Sequence, residues 1–162
     1  MKKFIDYNRL RQYILDQFYD PEGSIHAGGH WRRVERNGLF LAKKTGADLE
    51  VVKLFALFHD SRRMNDCRDE GHGARGAELA LSLLGRFFHL DAGRFDRLYY
   101  ACKWHTDKRH DGDPTIGTCW DADRLDLGRI GIAPDPEFMS TDFAREIASN
   151  DSVDNLLESI TG

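Results

Sequence analysis

The chain has 162 residues, 41% hydrophobic and 31% charged, with a formal net charge of −4. This is the size of one ordinary domain, able to bury a core without disulfide or metal staples, and too apolar for a disordered chain. The acidic balance sets nucleic acid aside as the main partner and leaves a small anion open, because local charge can differ from net charge.

Apolar residues recur at helical spacing almost throughout. Met1 to Asp6 lead directly into a first helix, with no signal peptide or membrane-spanning run expected. Tyr7, Leu10, Ile14 and Phe18 form one face of that helix, and Pro21, Gly23 and Ser24 end it. A second helix carries Trp31, Val34, Gly38 and Leu41, with Gly46 as its C-cap. Asp48 is the expected N-cap of a third, over residues 51–58. That stretch is apolar nearly all round, so it belongs in the middle of a bundle.

A polar loop over 61–71 leads to a fourth helix marked by Ala77, Leu81, Leu84 and Phe88. Phe95, Leu98, Cys102 and His105 mark a fifth. Residues 107–115, with Gly112 and Pro114, read as a loop, and a short sixth helix is expected to start near Thr118. Pro134 and Pro136 interrupt the chain, and two more helices are expected after Ser140 and after Asp151. The last has Val153, Leu156, Leu157 and Ile160 at 3–4 spacing. No alternating strand pattern occurs. The expected fold is all-α, a single-domain helical bundle over residues 1–162.

Cys67, Cys102 and Cys119 are odd in number and include no CxxC pair, which argues against a zinc knuckle and for a reducing compartment. The cytoplasm is the expected address.

Chemistry concentrates at a few polar residues on apolar elements. His59-Asp60 follows the most apolar helix, where an ionised carboxylate costs several kcal/mol unless a cation pairs with it. A divalent metal would serve, and so would Arg62 or Arg63; taken alone, the dipeptide reads as a satisfied His and an Asp–Arg pair. His30 follows Gly28-Gly29 and opens the second helix. Asp123 shares its helix face with Cys119, Trp120 and Leu127 and so points inward. Asp121 lies about 200° away and reads as a first-turn carboxylate favoured by the helix dipole. Asp126 could share part of the inner face, but reads first as a partner of Arg124 or Arg129. His105 lies in line with Leu98 and Cys102, and His72 opens the fourth helix.

The ordered set His…His-Asp…Asp on a helical bundle resembles the HD-domain superfamily of metal-dependent phosphohydrolases, over roughly residues 26–130. Four segments carry the resemblance. Gly29-His30-Trp31-Arg32-Arg33-Val34 looks like the first-histidine motif, and Ala56-Leu57-Phe58-His59-Asp60 is similar to the apolar-HD helix. His72-Gly73-Ala74-Arg75-Gly76-Ala77 resembles the start of the next helix. Asp121-Ala122-Asp123-Arg124-Leu125-Asp126 resembles the Ala-Asp-Arg-Leu segment that supplies the last ligand. Residues 140–162 would complete the bundle.

The resemblance implies His30, His59, Asp60 and Asp123 as ligands of one metal, with His72 and His105 at the places where some branches hold a second. The segment from His105 to Pro114 is similar to the HD-GYP branch but departs from it, with Thr106 where a paired histidine would stand and no Gly-Tyr-Pro element. A mixed imidazole and carboxylate set suits Mn, Fe, Co, Ni or Zn. The implied activity is hydrolysis of a small phosphorylated or nucleotide-like substrate by metal-activated water, with Asp60 and His105 as candidate catalytic groups and Arg33, Arg62, Arg63 and Arg75 as candidate phosphate contacts. Two alternatives stay open: a di-iron oxygenase on the same fold, which needs both extra histidines, and a non-catalytic nucleotide or metal sensor. The expected partner is a small anionic substrate, with no membrane; a homo-oligomer is left open.

Overall fold

The computed structural model describes residues 4–150. Seven α-helices follow in order: α1 Tyr7–Leu15, α2 Gly28–Thr45, α3 Leu49–Phe58, α4 His72–Leu83, α5 Ala92–Trp104, α6 Pro114–Arg124 and α7 Asp142–Ser149. Short 3₁₀ turns stand at Leu127–Ile130 and Pro136–Phe138. Among the described residues no strand forms, in agreement with the all-α expectation, and no helix is long and apolar enough to cross a membrane. The helix expected after Asp151 lies outside the described residues.

α3 is the axis of the bundle. Asp48 caps it, its carboxylate accepting the backbone N–H groups of Glu50 and Val51 at 3.0 and 3.2 Å. Val51, Val52 and the run from Leu54 to Phe58 are buried, and α2, α4, α5 and α6 all pack around the helix. A chain that leaves such a helix emerges in the interior, which is how His59 and Asp60 come to be buried.

Two glycines set the position of α4. A Cβ on Gly76 would lie 2.2 Å from the Phe58 carbonyl oxygen, and one on Gly73 would lie 2.4 Å from that of Cys102. Only glycine lets the α4 backbone rest directly on the ends of α3 and α5. This contact decides which face of α4 turns inward. Leu81, expected inside, is 48% exposed, because it lies about 140° around the helix from Gly76. The buried side consists of His72, Gly73, Gly76, Ala77, Leu79, Ala80 and Leu83. Leu84 and Phe88 fall after the helix, yet Phe88 folds back into the core at 1% exposure.

α6 begins at Pro114, earlier than the expected start near Thr118. The Asp113 carboxylate accepts from the backbone of Thr115 and Ile116, and the proline occupies the first turn, where its missing N–H has no partner to lose. Gly112 and Pro114 therefore mark a helix start within the segment expected to be a loop. Inside the bundle, the Trp120 indole donates to the Ala101 carbonyl at 2.9 Å and ties α6 to α5.

Candidate metal centre

Five helices deliver polar side chains to one point. His30 comes from the first turn of α2, His59 and Asp60 from the end of α3, and His72 from the first residue of α4. His105 follows α5, and Asp123 lies on α6. His30, His59, Asp60, His72 and His105 are all buried, whereas the Asp123 side chain keeps 17% of its surface open.

The imidazoles are oriented by their far nitrogens. His59 Nδ1 is 3.0 Å from the Phe55 carbonyl oxygen, His72 Nδ1 is 2.7 Å from that of Asp69, and His105 Nδ1 is 2.7 Å from that of Cys102. A carbonyl only accepts, so each Nδ1 carries the hydrogen and each Nε2 of the neutral ring presents a lone pair. His30 Nδ1 donates to Asp126 Oδ2 at 2.6 Å, with the same consequence.

These lone pairs face one another. The Nε2 atoms of His30 and His59 are 3.1 Å apart, and those of His72 and His105 are 3.0 Å apart. Neutral nitrogens so placed repel unless a proton or a metal ion lies between them. Asp60 stands between the two pairs. Its Oδ2 is 3.4 Å from His30 Nε2 and 3.5 Å from His59 Nε2. Its Oδ1 is 3.3 Å from His72 Nε2 and 3.4 Å from His105 Nε2. Asp123 Oδ1 joins the first pair, 3.1 Å from His30 Nε2 and 3.5 Å from His59 Nε2. Among the described residues, three overlapping groups could hold a metal ion: His30, His59 and Asp123; Asp60, His72 and His105; and His26, His30 and Asp60. Imidazole nitrogens mixed with carboxylate oxygens fit a divalent transition metal.

The electrostatics follow from this convergence. Burial disfavours a charged His30, but the hydrogen bonds it donates to Asp123, Asp126 and Asp60 outweigh it and push its pKa up to about 10. Burial also opposes charge on Asp60 and Asp123, yet the surrounding imidazoles hold both carboxyls well below the ordinary range.

Other residues take places that differ from expectation. Asp126 does not pair mainly with Arg124 or Arg129: it accepts from His30 Nδ1 and from Arg33 Nε at 2.8 Å, because the turn after α6 swings it under α2. Asp121 is not a first-turn carboxylate, since α6 starts at Pro114 and places it in the second half of the helix. It is buried and accepts from the backbone N–H groups of Ser140 and Thr141 at 2.6 and 2.9 Å. Arg124 donates to the carbonyls of Arg109, Phe138, His105 and Lys108, holding the chain after α5 against α6.

The four arginines expected to contact phosphate do not converge. Arg33 is bound to Asp126, Arg62 to Gln17 at 2.9 Å, and Arg75 to Asp69 at 2.6 Å. Arg63 alone of the four touches the centre, its Nε 3.3 Å from Asp60 Oδ1. It also lines a cleft of about 430 Å³ with Arg68, His72 and Thr106, which opens beside the second pair of histidines. Cys102 and Cys119 are buried, and burial pushes both thiols up, so neither is poised as a nucleophile.

His26 is a participant that the sequence reading missed. It is buried, with Nδ1 3.0 Å from Asp60 Oδ2. Its signal was the four-residue interval to His30, hidden because His26 precedes the helix and the two residues share no helical face.

No family model and no curated protein matches the chain. Its fold is the HD-domain fold. Among solved structures it is similar to a predicted HD superfamily hydrolase from an uncultured Thermotogales bacterium, with a TM-score of 0.69 and 24% identity over 95% of this chain and 88% of that one.

Proposed function

We propose that the protein is a metal-dependent hydrolase acting on a small phosphorylated or nucleotide-like substrate. The observation that carries the reading is the Asp60 carboxylate placed between two pairs of imidazoles whose Nε2 atoms face each other at 3.1 and 3.0 Å. His30, His59, Asp60 and Asp123 would hold one ion, and His72 and His105, sharing Asp60, a second. When bound, such ions supply Lewis acidity toward a phosphoryl oxygen and an acidified water at neutral pH.

The chain's own residues do the rest. Asp126 and the backbone carbonyls of Phe55, Asp69 and Cys102 keep the four imidazoles in the tautomer that offers Nε2 inward. Asp123, the most open carboxylate of the set, meets water at the mouth. Asp60 would act on the attacking water through the ions it helps to hold, since its oxygens face His26, Arg63 and the two histidine pairs. His105 Nδ1 is committed to the Cys102 carbonyl, which favours a ligand role for this residue over that of proton donor. Arg63 and Arg68 line the adjacent cleft together with Asp69, Glu70 and Asp107, and Arg68 pairs with Glu70, so a phosphate would have to compete with these carboxylates for the guanidinium groups.

A second reading, oxidation of the substrate by oxygen at a di-iron pair, is favoured by the same six-residue set. Both readings are tested by metal content per chain, in wild type and Asp60→Ala, followed by assays of phosphate release and oxygen consumption. Bound metal lost in the variant, with phosphate release in the wild type, is the expected result. Oxygen consumption with two irons per chain would move the assignment to the oxygenase. A wild type that takes up no Mn, Fe, Co, Ni or Zn would end both readings.

A further inference from the structure

Asp60 can serve two pairs of histidines only if its carboxylate plane is held. The terminal torsion of an aspartate is soft, and a free carboxyl would swing both oxygens toward one side. An ionised carboxylate has about four acceptor positions. Two of them meet protein N–H groups. His26 Nδ1 lies 3.0 Å from Oδ2, and Arg63 Nε lies 3.3 Å from Oδ1. Since His26 Nδ1 faces an ionised carboxylate, it carries the hydrogen. Each oxygen thus keeps one remaining position, Oδ2 toward His30 and His59, Oδ1 toward His72 and His105.

Both donors are anchored outside the centre. The His26 backbone N–H donates to Ser24 Oγ at 3.0 Å, and that hydroxyl in turn donates to Asp66 at 2.5 Å. The Tyr19 hydroxyl donates to the same Asp66 oxygen. Arg63 NH1 reaches the carbonyls of Asn65 and Cys67 at 3.4 and 3.1 Å. The polar loop between α3 and α4 therefore fastens the two groups that fix Asp60.

We infer that His26, together with Arg63, is a positioning residue that sets Asp60 as a carboxylate shared between two metal ions; the inference rests on the metal-binding reading above. His26 also lies in a group with His30 and Asp60 that could hold an ion; its role here is instead to act through Asp60, because its Nδ1 is 3.0 Å from Asp60 Oδ2.

The test is a cobalt(II) titration of the full chain, followed by visible absorption, in wild type, His26→Ala, His26→Asn and His26→Gln, without reference to turnover. Removing an outer hydrogen-bond partner of a metal ligand typically weakens metal binding by about 10–100-fold, and His26→Ala should fall in that range. The Asn side-chain amide places an N–H near the Nδ1 position and should recover most of the affinity. The Gln amide extends toward the Nε2 position and should not. If His26→Ala fails to fold, the contrast between Asn and Gln decides alone. Wild-type affinity in the Ala variant, or equal affinity in the Asn and Gln variants, would overturn the positioning role while leaving the metal centre in place. A wild type that binds no cobalt or other transition metal would bring down the functional reading, and this inference with it.

Discussion

At His30, a ligand in the proposed centre, protonation and metal binding would compete. Without metal its pKa is pushed up to about 10 from 6.5 by three carboxylates acting against burial. The folded state thus favours the charged ring, and that stabilisation is complete below about 6.5 and lost as pH rises through about 10. Asp60 and Asp123 have the opposite sign. Their carboxyls lie well below 3.8 in the folded protein, so their contribution is present above that value and lost as pH falls beneath it. Chelator-treated protein should therefore be most stable between about pH 4 and 6.5 and should weaken on the alkaline side, as urea unfolding across pH would measure. A metal held by His30 as proposed would have to displace that proton, so affinity should climb with pH toward 10. A flat alkaline limb in the metal-free protein would mean that His30 is neutral there.

The helix ends are as consequential as the residues they carry. α4 can present His72 to His105 only because Gly73 and Gly76 let its backbone meet the carbonyls at the ends of α5 and α3. Gly76→Ala would force a Cβ to within 2.2 Å of the Phe58 oxygen, and a backbone atom cannot move aside cheaply. Overpacking of this kind costs about 1–3 kcal/mol. For a chain of this size that lowers Tm by several degrees, at about 2–4 °C per kcal/mol, which calorimetry would resolve. The same displacement carries His72 away from Asp60, so the variant should also bind less metal per chain. Gly85→Ala, where a Cβ meets nothing within 4 Å, isolates the cost of the left-handed backbone from that of a clash.

Across the whole molecule, the centre draws together α2, α3, α4, α5 and α6, from His30 to Asp123. An ion bound there binds only the folded chain and stabilises it by mass action, by about 2.7 kcal/mol at a free concentration one hundred times Kd. The melting temperature should accordingly rise by about 5–10 °C with Mn, Co or Zn in the wild type. It should stay unchanged in Asp60→Ala, which lacks the carboxylate shared by both halves. An equal rise in both proteins would place the ion elsewhere.

Much of this was legible in the chain alone. A nearly all-apolar α3 requires burial, so the polar pair that follows it had to be matched in the interior. Asp123 was identifiable because helical geometry puts it on the face of Cys119 and Trp120. These conclusions depend on spacing within one helix, which sequence states directly. The convergence of His72 with His105, the placement of His26 against Asp60 and the employment of Arg33 and Asp126 behind His30 depend on contacts between elements remote in sequence. So did the dispersal of the arginines, since a guanidinium binds whichever carboxylate or carbonyl the packing brings near. Sequence determined which polar residues had to be accommodated inside; tertiary packing decided which of them face one another, because helix faces meet only where side-chain volume, and here the absence of a Cβ at Gly73 and Gly76, lets the backbones approach.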